Sequence, residues 1–149
     1  MTILTAISGD DDVDKLIQIG LEISEGLDLQ LAVVHVASAD DFESYREEME
    51  NVPGMSEYSI EQREDNATRT AERLVDTAVP KDSIPEDILY LGKVGEPTDE
   101  VLVAAEETDA RYLVIGGRKR SPTGKAVFGS VSQSILLNAE IPTISIMGK

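Results

Sequence analysis

The segment YLVIGGRKRSPTGKAVFGSVSQSILLNAEIPTISIM, residues 112–147, contains two short apolar runs separated by a glycine-containing loop and a helix-forming stretch. Tyr112–Ile115 is predicted to be a buried strand, and a helix is predicted from about Ser130 to Asn138, with Pro142 preventing its continuation. Thr143–Met147 is rich in β-branched residues and is predicted to be the next strand. A helix between two such strands is typical of the crossover that joins parallel strands. This segment therefore predicts an α/β fold.

The same alternation of strand and helix runs through the rest of the chain. Further strands are predicted at Ile3–Ile7, Leu29–Ala37 and Ile88–Leu91, and the helices that follow them are expected to start near Val13, Ile60 and Asp99. Gly26 is predicted to end the first helix. Because crossovers between parallel strands are right-handed, the pattern βαβαβαβαβ predicts one doubly wound open sheet of five parallel strands with helices on both faces.

Length and composition limit the classes of protein that this chain can belong to. It has 149 residues, of which 41% are hydrophobic, so one domain over residues 1–149 is expected. Its apolar runs are too short to cross a bilayer and its N-terminus has no basic flank, so we expect a cytoplasmic protein with no membrane partner. The absence of cysteine and the single histidine exclude disulfides, thiolate nucleophiles and multi-histidine metal sites.

Negative charge dominates the composition. The 29 acidic and 13 basic residues give a net charge of −16. This charge argues against a nucleic-acid partner, because phosphate backbones are bound by basic surfaces. Exposed carboxylates also repel one another, and concentrated salt screens that repulsion. We therefore expect a halophilic protein, with an ordinary acidic protein as the alternative.

The loops that follow the strands are the candidate binding sites, because ligands of open parallel sheets bind beyond the carboxyl ends of the strands. The first loop, ISGDDD, has one glycine where a dinucleotide fingerprint needs three, and its residues Asp10, Asp11 and Asp12 are predicted to cap the first helix. Gly124-Lys125 lacks both the following hydroxyl residue and the earlier glycine of a Walker loop. The third strand ends in LYLGK, without the aspartate that a phospho-acceptor domain needs.

Residues 110–139 differ in charge from the rest of the chain. They hold five basic residues and no acidic one, whereas the overall composition would place roughly six acids in thirty positions. Within this segment Gly129 and Ser130 open the predicted helix, whose free N–H groups and dipole attract anions. The segment therefore predicts an anion site. Alternatively, the basic loop neutralises the protein's own acidic surface and Gly129-Ser130 is a plain helix cap.

With these segments the sequence resembles the universal stress proteins. The resemblance covers essentially the whole chain, through ILTAISGD, LAVVHV, LGKVGEP, YLVIGGRKRSPTGKAVFGSVSQSIL and IPTISIM. Nucleotide-binding members carry glycine, two residues, glycine, nine residues, then glycine and serine or threonine, and Gly116, Lys119, Gly129 and Ser130 stand on that frame. The resemblance implies a Rossmann-like sheet in the order 3-2-1-4-5, with ATP or a related adenine nucleotide, with or without Mg²⁺, where the strand order reverses.

The resemblance also implies roles for single residues. Val36 stands at the position whose backbone meets adenine, Gly116 lies by the ribose, and Gly129 with Ser130 is at the phosphate end. Ser8 stands where ATP-binding members have an aspartate, although its hydroxyl can still accept a hydrogen bond. Lys119 replaces the second glycine and either crowds the phosphates or places an ammonium against them.

Together these observations favour a stress-response sensor or adaptor that binds an adenine nucleotide as a homodimer joined through the fifth strand. Thr143–Met147 carries no charge, and an uncharged sheet edge is a template for pairing. The alternative is a nucleotide-free dimeric interaction module of the same fold. An enzyme beyond slow ATP hydrolysis is not favoured, because no base–nucleophile pair is visible and His35 is expected to be a core histidine.

Overall fold

The computed structural model describes residues 1–9, 11–38, 60–117 and 129–147. Its centre is a sheet of five parallel strands in the order β3-β2-β1-β4-β5. The strands are β1 Thr2–Ala6, β2 Gln30–Ser38, β3 Leu89–Gly95, β4 Ala110–Gly117 and β5 Thr143–Met147. The parallel five-stranded sheet that the alternating pattern predicts is confirmed, and so is the strand order that the family resemblance implies.

Within the described ranges, one helix lies between each pair of consecutive strands. The helices are α1 Val13–Leu27, α2 Ile60–Ala78, α3 Pro97–Glu107 and α4 Ser130–Asn138, and a single 3₁₀ turn, Lys81–Ser83, follows α2. None of the helices within the described parts of the chain is long and apolar enough to cross a membrane.

The sheet has a hydrophobic core on each face because successive strand residues point to opposite sides. Ile3 of β1 and Val33 of β2 lie in a buried cluster with residues of α1 and α2. Leu4 and Val34, their chain neighbours, lie in a second cluster with residues of α3 and α4. The double burial explains why the central strands read as continuous apolar runs rather than as alternating ones.

Two of the predicted element ends that differ from the structure lie at glycines. Gly26 lies inside α1, and the residue in the left-handed conformation that follows the helix is Asp28, with φ 54°. Its N–H donates to the Ser24 carbonyl oxygen, which closes the last turn. The predicted turn GKVGEP begins too early as well, because β3 continues through Lys93 to Gly95 in register with β2.

The strand order reverses between β1 and β4, which are neighbours in the centre of the sheet. The chain leaves β1 for α1 on one face and leaves β4 for α4 on the other face. A crevice therefore forms at the carboxyl ends of β1 and β4, where doubly wound proteins bind ligands.

Candidate functional site

The loop after β1 is a turn that Asp11 holds closed. The Ser8 N–H and the Ser8 hydroxyl both donate to Oδ2 of Asp11, at 2.9 and 3.1 Å. The Asp11 N–H donates in turn to the Ser8 carbonyl oxygen at 3.2 Å. These three bonds fix both the course of the loop and the direction of the carboxylate.

The next residue, Asp12, has the different role of capping α1. Its Oδ1 accepts the Lys15 N–H at 3.3 Å, and it is the N-cap residue of the helix. The prediction that the aspartates of this loop cap α1 is therefore confirmed for Asp12 and wrong for Asp11, whose carboxylate turns back to Ser8. Asp10 lies outside the described residues.

Gly116, near the end of β4, lies directly against the Asp11 carboxylate. A Cβ atom built on Gly116 would be 2.5 Å from Oδ1 of Asp11 and 2.9 Å from its Cγ, so a side chain at this position would displace the carboxylate. Asp11 thus links Ser8, which donates to its carboxylate, with Gly116, which lies against it. A sequence signal for Asp11 does exist, because the spacing Ser-x-x-Asp lets a carboxylate reach back to a backbone N–H three residues earlier.

The N-cap residue of α4 is a glycine, which has no side chain to cap the helix. Gly129 is in an extended conformation with φ −69° and ψ 161°, and within the described residues no side chain accepts a hydrogen bond at this helix start. Gly129 is buried, whereas Ser130 is exposed. The first turn also contains no acidic residue. The helix therefore presents the N–H groups of its first turn and the positive end of its dipole together.

A hydrogen bond joins this helix start to the end of β4. The Ser132 hydroxyl donates to the Gly116 carbonyl oxygen at 2.6 Å. Gly116 is thus in contact with Asp11 on its Cα side and with α4 through its carbonyl group. The loop after β1, the end of β4 and the first turn of α4 consequently form one continuous surface.

Val36 lies on the next strand, beyond the last residue of β2 that pairs with β1. The pairing of β1 and β2 ends at Ala6 and Val34, and the Ile7 N–H adds one bond to the Val34 carbonyl oxygen at 3.0 Å. Val36 is half-buried and pairs with Lys93 of β3. Val36 therefore lies at the same carboxyl edge of the sheet as Ser8. Lys119, the remaining predicted site residue, lies outside the described residues.

His35 is half-buried and engaged by the backbone. Its Nδ1 lies 3.1 Å from the Ile7 carbonyl oxygen, and because that oxygen can only accept, Nδ1 carries the proton of the pair. Within the described ranges, no three or more His, Asp or Glu residues are grouped so as to hold a metal ion.

Comparison with known proteins decides the family. The model of the universal stress protein family matches residues 1–146. The chain belongs to the universal stress protein family. A universal stress protein of Mycolicibacterium smegmatis is 43% identical to it over 51 residues, which are 34% of this chain and 39% of that relative. The chain thus spans about two fifths of the length of the curated relative that it matches.

Solved universal stress proteins share the fold over the full chain. A universal stress protein from Archaeoglobus fulgidus has 29% sequence identity and a TM-score of 0.62, and the match covers 98% of both chains. A structure of the universal stress protein from Archaeoglobus fulgidus in complex with dAMP has 22% identity and a TM-score of 0.54, and it covers 98% of this chain and 97% of that one. At 22% identity, this second match shows that the two proteins share a fold. The bound dAMP is a property of that protein.

Proposed function

We propose that this universal stress protein binds an adenine nucleotide, ATP in the first place, at the surface formed by the loop after β1, the end of β4 and the start of α4. In this arrangement adenine lies toward Val36, the ribose lies by Gly116, and the phosphates lie on Gly129 and Ser130. The observation that carries the proposal is the uncapped start of α4 within the acid-free segment 110–139.

The charge of the protein makes this helix start the natural place for an anion. The chain carries a net charge of −16, so most of its surface repels phosphate. The α4 start combines backbone N–H donors, a helix dipole and a segment without carboxylates. Adenine as the base is supported by the dAMP bound to a protein of the same family and fold.

Lys119 is expected to strengthen phosphate binding, because its ammonium is a compact charge in a segment that lacks acids. A divalent cation such as Mg²⁺ would be held chiefly by the phosphates, since that ion commonly keeps several waters and few protein ligands. The protein then acts in the cytoplasm as a stress-linked sensor or adaptor, in which the bound nucleotide is the signal rather than a substrate.

We further propose that the protein is a homodimer joined along β5. The two edges of the sheet differ in charge: on β3, the Lys93 side chain forms an ion pair with Glu107 at 2.6 Å, whereas β5 carries no charged residue. Charged side chains are a common protection of a sheet edge against pairing, so β5 is the more favourable edge. Leu137, on the helix that precedes β5, is 76% exposed and adds apolar surface near that end of the chain.

A proline at Ser145 tests the dimer interface. The Pro142 carbonyl oxygen accepts the Leu113 N–H, so alternate residues of β5 turn toward β4 and Ser145 turns its N–H to the open edge. Ser145→Pro is expected to give monomers by light scattering, while Ser145→Ala, which keeps the N–H, stays dimeric. A dimer that survives Ser145→Pro would place the interface elsewhere.

Calorimetry with ATP and adenosine tests nucleotide binding. In matched high salt, Lys119→Ala should weaken ATP more than adenosine if the ammonium contacts phosphate, and Lys119→Gly should strengthen ATP binding if the lysine instead crowds the site. If the folded, dimeric wild type binds no ATP, the nucleotide proposal is wrong. The better interpretation is then a dimeric interaction module whose basic loop contacts acidic surface.

A further inference from the structure

Ser132 joins the start of α4 to the end of β4. Its hydroxyl donates to the Gly116 carbonyl oxygen at 2.6 Å, and within the described residues this is the one side-chain hydrogen bond between α4 and the sheet. Ser132 is half-buried and lies three residues after the N-cap residue Gly129, so it belongs to the turn whose N–H groups form the proposed phosphate site. The bond therefore connects that site to the residue proposed to lie by the ribose.

The carbonyl group of Gly116 faces the gap between β4 and β1. The Leu113 N–H donates to the Pro142 carbonyl oxygen at 3.0 Å, so Leu113 turns its backbone groups toward β5. Because backbone groups alternate in direction along a strand, those of Gly116 turn toward β1. The pairing of β4 with β1 ends at Val114, two residues earlier. The Ser132 hydroxyl thus satisfies a carbonyl oxygen that lies beyond the last pair of β1 and β4 residues.

The rest of α4 contributes little to holding its first turn in place. Among the residues of this helix, Ile135 alone is buried, whereas α1 buries five residues. Ile135 lies three residues after Ser132, so the two share the face of α4 that meets the sheet. Leu137, one turn from the helix end, is 76% exposed. The Ser132 bond is therefore the contact that sets the position of the first turn relative to β4.

We propose that Ser132 is a positioning residue of the nucleotide site, whose bond to Gly116 fixes the spacing between the ribose and phosphate ends and so favours ligands that carry phosphate. The inference rests on the proposed nucleotide function. Donors that are held in place before a ligand arrives lose little entropy when it binds, so they contribute more to affinity. The hydroxyl also occupies the Gly116 carbonyl oxygen, an acceptor at the edge of the crevice that has no donor to gain from an ionised phosphate.

Calorimetry with ATP and adenosine tests the proposal. Ser132→Ala should lower the ATP affinity by about tenfold, because the first turn of α4 loses its bond to β4 and the Gly116 carbonyl oxygen loses its donor. The adenosine affinity should stay within about twofold, since adenosine carries no phosphate for that turn to bind. The ratio of the two affinities is the readout, because a loss of stability alone would not change it.

Ser134→Ala is the matched control. It removes the hydroxyl of another half-buried serine of α4, and it keeps the backbone oxygen that accepts the Asn138 side chain at 2.7 Å. This variant should keep both affinities.

Ser132→Thr and Ser132→Val form a second comparison, since both side chains are β-branched and threonine alone has a hydroxyl. Ser132→Thr should keep the ratio of the ATP and adenosine affinities within about threefold of the wild type, and Ser132→Val should show the tenfold loss. Melting curves of all variants show whether each of them is folded.

The outcomes separate this inference from the function on which it rests. If folded Ser132→Ala and Ser132→Val bind ATP as tightly as the wild type, or lose ATP and adenosine affinity equally, the positioning role is refuted and nucleotide binding stands. The same holds if folded Ser132→Thr loses as much ATP affinity as Ser132→Val. If the folded wild type binds no ATP, both the function and this inference are refuted.

Discussion

The helices α1 and α4 begin at neighbouring points of the sheet, yet their first turns are completed in different ways. α1 follows β1 and is capped by the Asp12 carboxylate, which accepts the Lys15 N–H. α4 follows β4 and has Gly129 as its N-cap residue, which has no side chain to cap the helix, and its first turn contains no acidic residue. α3 resembles α1, since the Glu96 side chain accepts the Asp99 N–H at 2.9 Å.

This difference separates the helix starts that the protein caps with its own carboxylates from the one that remains available to an external anion. Aspartate at an N-cap stabilises a helix by about 1 kcal/mol, so a chain with 29 acidic residues could readily supply one at each helix start. Of the helix starts that lie in the described ranges, the one without a carboxylate is α4, in the segment that has no acid at all. In the proposed function, the phosphates of a nucleotide are the external anion that binds this helix start.

Giving α4 the cap that α1 has should produce the largest effect. In Gly129→Asp, the carboxylate would occupy the N–H groups of the first turn and repel phosphate, so ATP affinity should fall by about 100-fold or more. The backbone at Gly129 has a negative φ and accommodates any residue. Calorimetry measures the loss, and a melting curve shows that α4 remains folded.

Gly129→Asn is the matched control for that variant. Asparagine has nearly the shape of aspartate and caps a helix equally well, but it brings no charge. It should therefore weaken ATP binding less than Gly129→Asp does. If the two variants lose the same amount of ATP affinity, the size of the side chain at this position is decisive. The explanation by charge at the two helix starts would then be wrong.

Salt should act in opposite directions on the two parts of the molecule. Between 0.1 and 2 M KCl, the melting temperature should rise, because the repulsion among excess carboxylates is screened; the Debye length is about 8 Å at 0.15 M and about 3 Å at 1 M. A gain of about 1 kcal/mol would raise Tm by about 2–4 °C. Over the same range ATP affinity should fall, since the attraction at α4 is screened too.

A flat or falling melting temperature would contradict the halophilic prediction. An ATP affinity that does not change with salt would contradict an electrostatic contribution of the acid-free segment. Adenosine, which has no phosphate, is the control ligand, and its affinity should respond much less to salt.

Removing the cap of α1 should have the smallest effect. Asp12→Ala is expected to lower the free energy of unfolding by about 1 kcal/mol, because the Lys15 N–H loses its acceptor. ATP affinity should stay within about twofold, since this carboxylate faces α1 rather than Gly116. Urea unfolding measures the free energy of unfolding, and calorimetry measures the ATP affinity. A large loss of ATP affinity would show that the starts of α1 and α4 do not have separate roles.

The parts of the fold that the sequence predicts best are those with a clear local signal at both ends. The predicted bounds of α4 and β5 are those of the structure, because Gly129 and Pro142 mark them. Glycines are misleading where packing overrides their turn preference. Gly92 lies within β3 because α2 packs so closely there that a Cβ would be 2.5 Å from the Thr68 hydroxyl oxygen.

Only those parts of the candidate site that have a signal in the local sequence could be predicted. The helix start at Gly129 and Ser130 follows from composition and spacing, and the structure places it beside Gly116 through Ser132. The contact of Asp11 with Gly116 could not follow from them, because it joins residues that are far apart in the chain. Such a contact depends on the adjacency of β1 and β4, which only the folded sheet provides.

The most direct test of the account is an NMR titration that follows backbone amide signals of the ¹⁵N-labelled protein with ATP and, separately, with adenosine. ATP should shift the amides of Ser130 and Val131 strongly, adenosine should shift them little, and the amides of Asp14 and Lys15 at the start of α1 should respond weakly to both. The account is contradicted if ATP leaves the first turn of α4 unchanged, or if adenosine shifts it as much as ATP does.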